Sequence, residues 1–125
     1  MNALLAVKDS FAESNSEKIK NRLDKIINYY KFDINQQVLS FLLGISYKFD
    51  YLPSIAPISD KYLQLEYDKN DNCLDFEILY KDKIIINMFK SINGNEIEVD
   101  NISTELMIKE VNDFNRLFWI YWKWF

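Results

Sequence analysis

The chain of 125 residues has no histidine, one cysteine, two glycines and two prolines. Lack of histidine removes Ser–His and Cys–His nucleophile pairs, the commonest general base and the commonest zinc ligand. The single Cys73 excludes an internal disulfide framework and fits a reducing compartment. With no base partner it reads as a small apolar residue on a strand. Gly44 and Gly94 cannot write a glycine-rich phosphate loop. No apolar run approaches the ~18–20 residues of a membrane span. The apolar stretch within Met1–Asp9 is too short for a signal peptide and has no basic region before it. A cytoplasmic location and no membrane association are therefore expected, with no cofactor and no metal.

What is present suits one globular domain over residues 1–125. The composition is 49% hydrophobic and 16% aromatic, enough apolar material for one core in a chain of ordinary domain length. Abundant Asn, Lys and Ile suit an AT-rich bacterial or phage genome. The net charge of −4 is unevenly spread. Residues 1–59 carry seven basic and six acidic groups, net +1, whereas residues 60–113 carry six basic and thirteen acidic, net −7; Arg116 and Lys123 add +2. An acidic middle argues against that segment gripping phosphates, which takes Lys and Arg, and suits docking onto a basic surface.

Periodicity divides the chain into a helical part (1–50), a β-meander (61–100) and a C-terminal helix (104–125). Leu4, Val7 and Phe11 at helical spacing predict a short first helix over 2–13. Ser14 and Glu17 have capping-box spacing and open a helix over 16–31 with Ile19, Leu23, Ile26, Ile27 and Tyr30 as its apolar stripe. Asp33 and Gln36 repeat that spacing before a widely apolar helix over 34–49, expected to pack on two sides. Pro53 and Pro57 then end helical structure. From Lys61 the period becomes two. Leu63, Leu65 and Tyr67 alternate with polar neighbours; Leu74, Phe76, Ile78 and Tyr80 do the same after the Lys69–Asn72 turn. Lys81-Asp82 links to Ile84–Phe89, and Asn93-Gly94 is a type I′ hairpin signal before 95–100. Four antiparallel strands result. Ser103 is an N-cap for the last helix, whose buried stripe is expected at Leu106, Val111, Phe114, Leu117 or Phe118, and Tyr121. The fold class is α+β, with helices packed on one sheet face.

The stretch Leu52–Tyr67, reading Leu-Pro-Ser-Ile-Ala-Pro-Ile-Ser-Asp-Lys-Tyr-Leu-Gln-Leu-Glu-Tyr, resembles a pattern in small bacterial proteins where prolines precede an Asp-Gly turn and a strand ending Leu-Glu-Trp. The resemblance covers about residues 34–86. It departs at Lys61, in place of the glycine, and at Tyr67, in place of the tryptophan. It implies a helix before the prolines and a hairpin after them, and no particular chemistry. In general style the chain is similar to anti-CRISPR inhibitors, antitoxins and immunity proteins, which are compact, often acidic and without catalytic machinery.

No catalytic residue set can be written. Asp68, Asp71 and Asp75 lack the glycine and terminal glutamate of an EF-hand. Glu66, Asp75 and Glu77 could form an acid pair across two strands, but alternation makes them the wet face of a half-buried sheet. Three surfaces remain as partner-binding candidates. The acidic strand face, Glu66, Asp75, Glu77, Glu96, Glu98 and Asp100, could imitate nucleic-acid phosphate and enter a basic channel; the simpler reading is a solvated face with edge protection. Trp119, Trp122 and Trp124, every tryptophan in the chain, suit an aromatic anchor or homodimer contact, or a core element covered by the first helix. Lys18, Arg22 and Lys25 could follow a nucleic-acid backbone or form an ordinary charged helix face. The expectation is a non-catalytic inhibitor, monomer or homodimer, of a bacterial CRISPR effector nuclease, with RNA contacted only within that complex. An immunity protein or antitoxin that neutralises a toxin is the alternative.

Overall fold

The computed structural model describes residues 15–30, 34–59 and 62–124; the side chains of Tyr30, 57–59 and 118–124 are outside that description. The first helix expected over 2–13, Ser14 and Asp33 also lie outside the described residues. Helix α1 spans Asn15–Tyr30 and α2 spans Gln36–Ile45, with a 3-10 turn at Ser46–Lys48. Strands β1 (Ser54–Ser59), β2 (Tyr62–Lys69), β3 (Asn72–Tyr80), β4 (Ile84–Ile92) and β5 (Asn95–Val99) follow, then helix α3 (Thr104–Trp124). The chain is α+β as expected, but the sheet has five strands in sequential antiparallel order rather than four.

The additional strand carries Pro57, which pairs with Leu63 at a break in register before Ser59. Proline removes a ladder donor and is tolerated where the N–H side faces away from the sheet, on an edge. The two prolines thus end the helices and shape an edge strand.

Turn chemistry fixes the meander. Asn70 and Asp71 (φ 51° and 67°) close β2 on β3, and Asn93 and Gly94 (φ 52° and 82°) close β4 on β5. Two consecutive positive-φ residues form the turn whose twist matches paired strands, and Asn and Asp tolerate that region where glycine is scarce. The backbone N–H of Asn93 donates to Asn72 Oδ1 at 2.7 Å, tying the two turns together.

One phase of each strand is buried: Leu63, Leu65 and Tyr67, then Leu74, Phe76 and Ile78, then Ile86 and Met88. They form a single core with Ile19 and Leu23 of α1, Val38 and Leu42 of α2, and Met107, Val111 and Phe114 of α3. All three helices contribute to the core on this one sheet face. Leu39, Phe41, Leu43 and Ile45 pack partly buried around it, so α2 is apolar on most of its circumference.

Three expectations need correction. The cap of α2 is Asn35, whose Oδ1 accepts from the N–H groups of Gln37 and Val38, and α2 ends at Ile45 rather than reaching Phe49. In α3, Met107, Val111 and Phe114 are buried while Leu106 and Leu117 are exposed. The 106–110–113–117 row is interrupted by Glu110 and Asp113, whereas 107–111–114 is apolar without a break. The Ser103 cap does hold: its hydroxyl accepts from Leu106 N–H at 3.1 Å.

Polar side chains lock the helices together. Asn15 Nδ2 donates to the carbonyls of Phe49 (3.0 Å) and Ser46 (3.3 Å). Ser16 and buried Ser46 lie 2.9 Å apart, and both hydroxyls reach the Leu43 carbonyl. Each hydroxyl has one proton, so one donates to its neighbour and the other to the carbonyl. Asn112 clamps α3 to residues 48–50, accepting from Asp50 N–H and donating to the Lys48 carbonyl. The Tyr67 ring packs tilted against Phe114, with centroids 6.4 Å apart, and its hydroxyl donates to the Tyr51 carbonyl at 2.8 Å; burial pushes this phenol well above its ordinary range.

Candidate functional site

The second phase of the strands forms the other sheet face. Register aligns its residues in rows across the sheet: Glu66, Asp75, Phe89 and Glu98 in one, Asp68, Cys73, Ser91 and Glu96 in the next, and Gln64, Glu77 and Asn87 in a third. All of the strand carboxylates expected on one face are therefore on one face. Asp100 joins them just beyond β5, in a shallow cavity of about 390 Å³ that Gln64, Asp75, Glu77, Phe89 and Glu98 also line. None of the described strand positions in these rows is Lys or Arg; Lys90 is in the opposite phase, paired with Glu110 of α3 at 2.8 Å.

Neighbouring strands lie about 4.8 Å apart and alternate residues along a strand about 6.8 Å apart. Carboxylates at such spacing repel one another, and the site manages that repulsion in two ways. Amides accept part of it: Gln64 Nε2 donates to Glu66 Oε1 at 3.0 Å, and Asn87 Nδ2 to Glu77 Oε1 at 3.3 Å. Asn87 is oriented by its other end, since its Oδ1 accepts from Asn101 N–H at 3.0 Å. The rest raises the proton affinity of one carboxyl. Asp75, between Glu66 and Phe89 in register, is pushed up to about 6 by burial first and then by the charges of Glu66 and Asp68. Its Oδ1 is buried without a hydrogen-bond partner among the described residues.

Asp68, Cys73 and Asp75 bring their ligand atoms within 4.8 Å of one another. Asp71, considered with Asp68 and Asp75 from spacing alone, is instead an exposed turn residue. Burial raises the Cys73 thiol, Asp75 raises it further, and a hydrogen bond from the Ser91 backbone opposes them. The thiol thus stays protonated at neutral pH, which makes it a weak nucleophile and leaves two carboxylates as the ready ligands. A hard cation takes six or more oxygens or several retained waters, and this trio supplies few of them.

The face is not uniformly acidic. Leu79, Ile85 and Phe89 belong to it by register and are half-buried. Sequence reasoning missed Gln64, Asn87 and Phe89 as parts of the site; alternation with Leu63 and with Ile86 and Met88 signals the first two, while Phe89 follows Met88 in an apolar run and carries no such signal.

The other candidates fare differently. Lys18, Arg22 and Lys25 are exposed along one face of α1, but Arg22 donates to the Pro53 carbonyl at 2.6 Å, fastening α1 to the start of β1. Lys25 borders an open depression beside the exposed ring of Tyr29. Trp119, Trp122 and Trp124 lie within α3, and their side chains are outside the described residues. No helix of the described residues is long and apolar enough to cross a membrane. Compared with protein-family models, with curated proteins and with solved structures, the chain matches none.

Proposed function

We propose that the chain is a non-catalytic binding protein that docks its acidic sheet face onto a basic, nucleic-acid-handling surface, as a stoichiometric inhibitor of a bacterial defence nuclease of the CRISPR effector class. One observation carries this reading: Glu66, Asp75, Glu77, Glu96, Glu98 and Asp100 share one sheet face, whose described strand rows contain no basic residue. A hydrogen-bonded sheet holds these charges in a fixed array, and such an array steers a basic partner and selects against acidic ones. Phe89, Leu79 and Ile85 supply apolar contact between the charges, and Trp119, Trp122 and Trp124 are a second grip. RNA enters only as part of the nuclease complex. The protein works in the cytoplasm without metal or cofactor, as a monomer or homodimer.

The test combines inhibition with charge neutralisation. Purified chain is titrated into a guide-RNA-dependent nuclease, and target cleavage is measured against the Glu96→Gln/Glu98→Gln/Asp100→Asn variant. Expected is loss of cleavage at stoichiometric ratio, with inhibition that weakens as salt rises and requires at least ~10-fold more of the variant. Equal potency of the variant would sink the charge-mimic reading. Selective capture of a small toxin with a basic cleft, and no effect on the nuclease, would establish the immunity or antitoxin reading instead.

A further inference from the structure

The two edges of the sheet are built differently. At β1, Pro57 removes a donor and the register breaks before Ser59, devices that discourage strand addition. At β5 there is neither proline nor break: Asn95–Val99 pairs in continuous register with Ile92–Met88, and every residue of the strand is exposed.

Which backbone groups face outward follows from the turn. Ile92 and Asn95 flank the two-residue Asn93-Gly94 loop, so they exchange hydrogen bonds, and bonded pairs then recur at every second residue. Lys90 with Ile97 and Met88 with Val99 are the next two; past β5, the bond from Ile102 N–H to the Ile86 carbonyl at 2.8 Å falls one residue later than this series would place it. The N–H and C=O groups of Glu96 and Glu98 therefore point away from the sheet. Their side chains belong to the acidic face, while Ile97 and Val99, exposed by 46% and 39%, lie on the opposite face.

We infer that β5 is a strand-addition site for an extended partner segment in which Lys or Arg alternates with aliphatic residues. This rests on the docking role of the acidic face and names the element of the partner that it takes. Main-chain bonds to Glu96 and Glu98 supply affinity, and alternation supplies selectivity. Basic side chains of the added strand fall beside Glu96, Glu98 and Asp100, and aliphatic ones beside Ile97 and Val99. A second copy of the chain does not fit. Antiparallel pairing of β5 with itself sets Glu98 against Glu96, against another Glu98 or against Asp100, and like charges directly opposite destabilise a pair.

The probe is a blocked seven-residue peptide alternating Lys and Val, titrated into the isotopically labelled full chain and followed by NMR. Expected are shifts centred on the Glu96 and Glu98 amides, cross-strand contacts from β5 to the peptide, and little binding of the matching Glu–Val peptide. Methylating the peptide's sheet-facing amide nitrogens should weaken binding ~10-fold or more, which tests the backbone bonds without altering the protein. Glu98→Pro, which removes an outward N–H and no ladder bond, should do the same. Shifts confined to Gln64, Asp75 and Phe89, with β5 unmoved, would overturn strand addition while leaving docking on the acidic face intact. No binding, or a dimer contacting itself through β5, would overturn it as well; nuclease inhibition lost on charge neutralisation would still uphold the broader reading.

Discussion

The two faces of the sheet are made from the same strands and obey opposite rules. On the helix side, Leu65, Leu74, Phe76 and Ile78 are fully buried within one hydrophobic cluster, and volume decides what is accepted. On the other side, Asp75 sits between Glu66 and Phe89, and one of its oxygens is buried with no hydrogen-bond partner among the described residues. Alternation with period two lets adjacent residues serve these two purposes without interfering. The first face is optimised for folding, while the second holds like charges together against their repulsion. Sites that work against local stability are where function is expected.

The largest loss of stability is expected at Phe76. It is completely buried at the centre of β3, and Phe76→Ala removes a ring the surrounding elements cannot collapse to replace. The expected loss is about 3–5 kcal/mol, seen as a fall in Tm of about 10 °C or more. Glu77→Ala, next along the same strand on the other face, should change stability by less than about 0.5 kcal/mol. Denaturant melts of the two variants check this, and similar losses would mean that the acidic face is structural after all.

Much of this contrast is written in the sequence. Leu63, Leu65 and Tyr67 alternate with Gln64 and Glu66, and the pattern repeats through Ile78, so both the strands and the phase of the acids can be read directly. Asn93-Gly94 fixes the register of β5 through conformational preference alone. What could not be read has identifiable causes. β1 hides behind Pro53 and Pro57, because a proline that opposes a central strand is acceptable on an edge, and sequence does not say which strand is the edge. Asn35 and Asp33 are equivalent caps until the helix start is known. In α3 the outward row is legible: Glu110 and Asp113 interrupt the row begun by Leu106, whereas Met107, Val111 and Phe114 run unbroken. In the site, Phe89 follows Met88 in an apolar run. No hydropathy pattern distinguishes the one in the core from the one beside Asp75.

Asn87 is an open-face residue with structural work. Its amide donates to Glu77 and accepts from Asn101 N–H, and Asn101 has positive φ (55°) where the chain leaves β5 for α3. Asn87→Ala should cost about 1 kcal/mol, more than Glu77→Ala and far less than Phe76→Ala. Amide exchange at Asn101 should quicken in the variant. If it stays unchanged, water replaces the side chain and the bond does not hold the turn.

The smallest effect has the opposite sign, and it discriminates best between the faces. The Asp75 carboxyl is raised to about 6 in the folded chain by burial and then by Glu66 and Asp68, above its ordinary value near 4. The folded state therefore holds this proton more tightly than the unfolded state does. The stability it contributes is fully present below about pH 4 and is lost as pH rises through about 6. Above that range the folded protein carries a poorly solvated charge beside two others. Asp75→Asn keeps the shape and removes the charge. Its Tm should match that of the parent chain near pH 4 and exceed it by ~2 °C at pH 7, a modest value because solvent reaches this group and screens it. The gap should open between those limits. Parallel melting curves across that range would show that Asp75 is ionised at no cost to the fold. Binding to a basic partner should move the other way, since a nearby cation draws the proton off Asp75 and the variant has no charge to offer. A substitution that strengthens the fold while weakening the complex would separate the two faces by function, because no residue of the core face can do both.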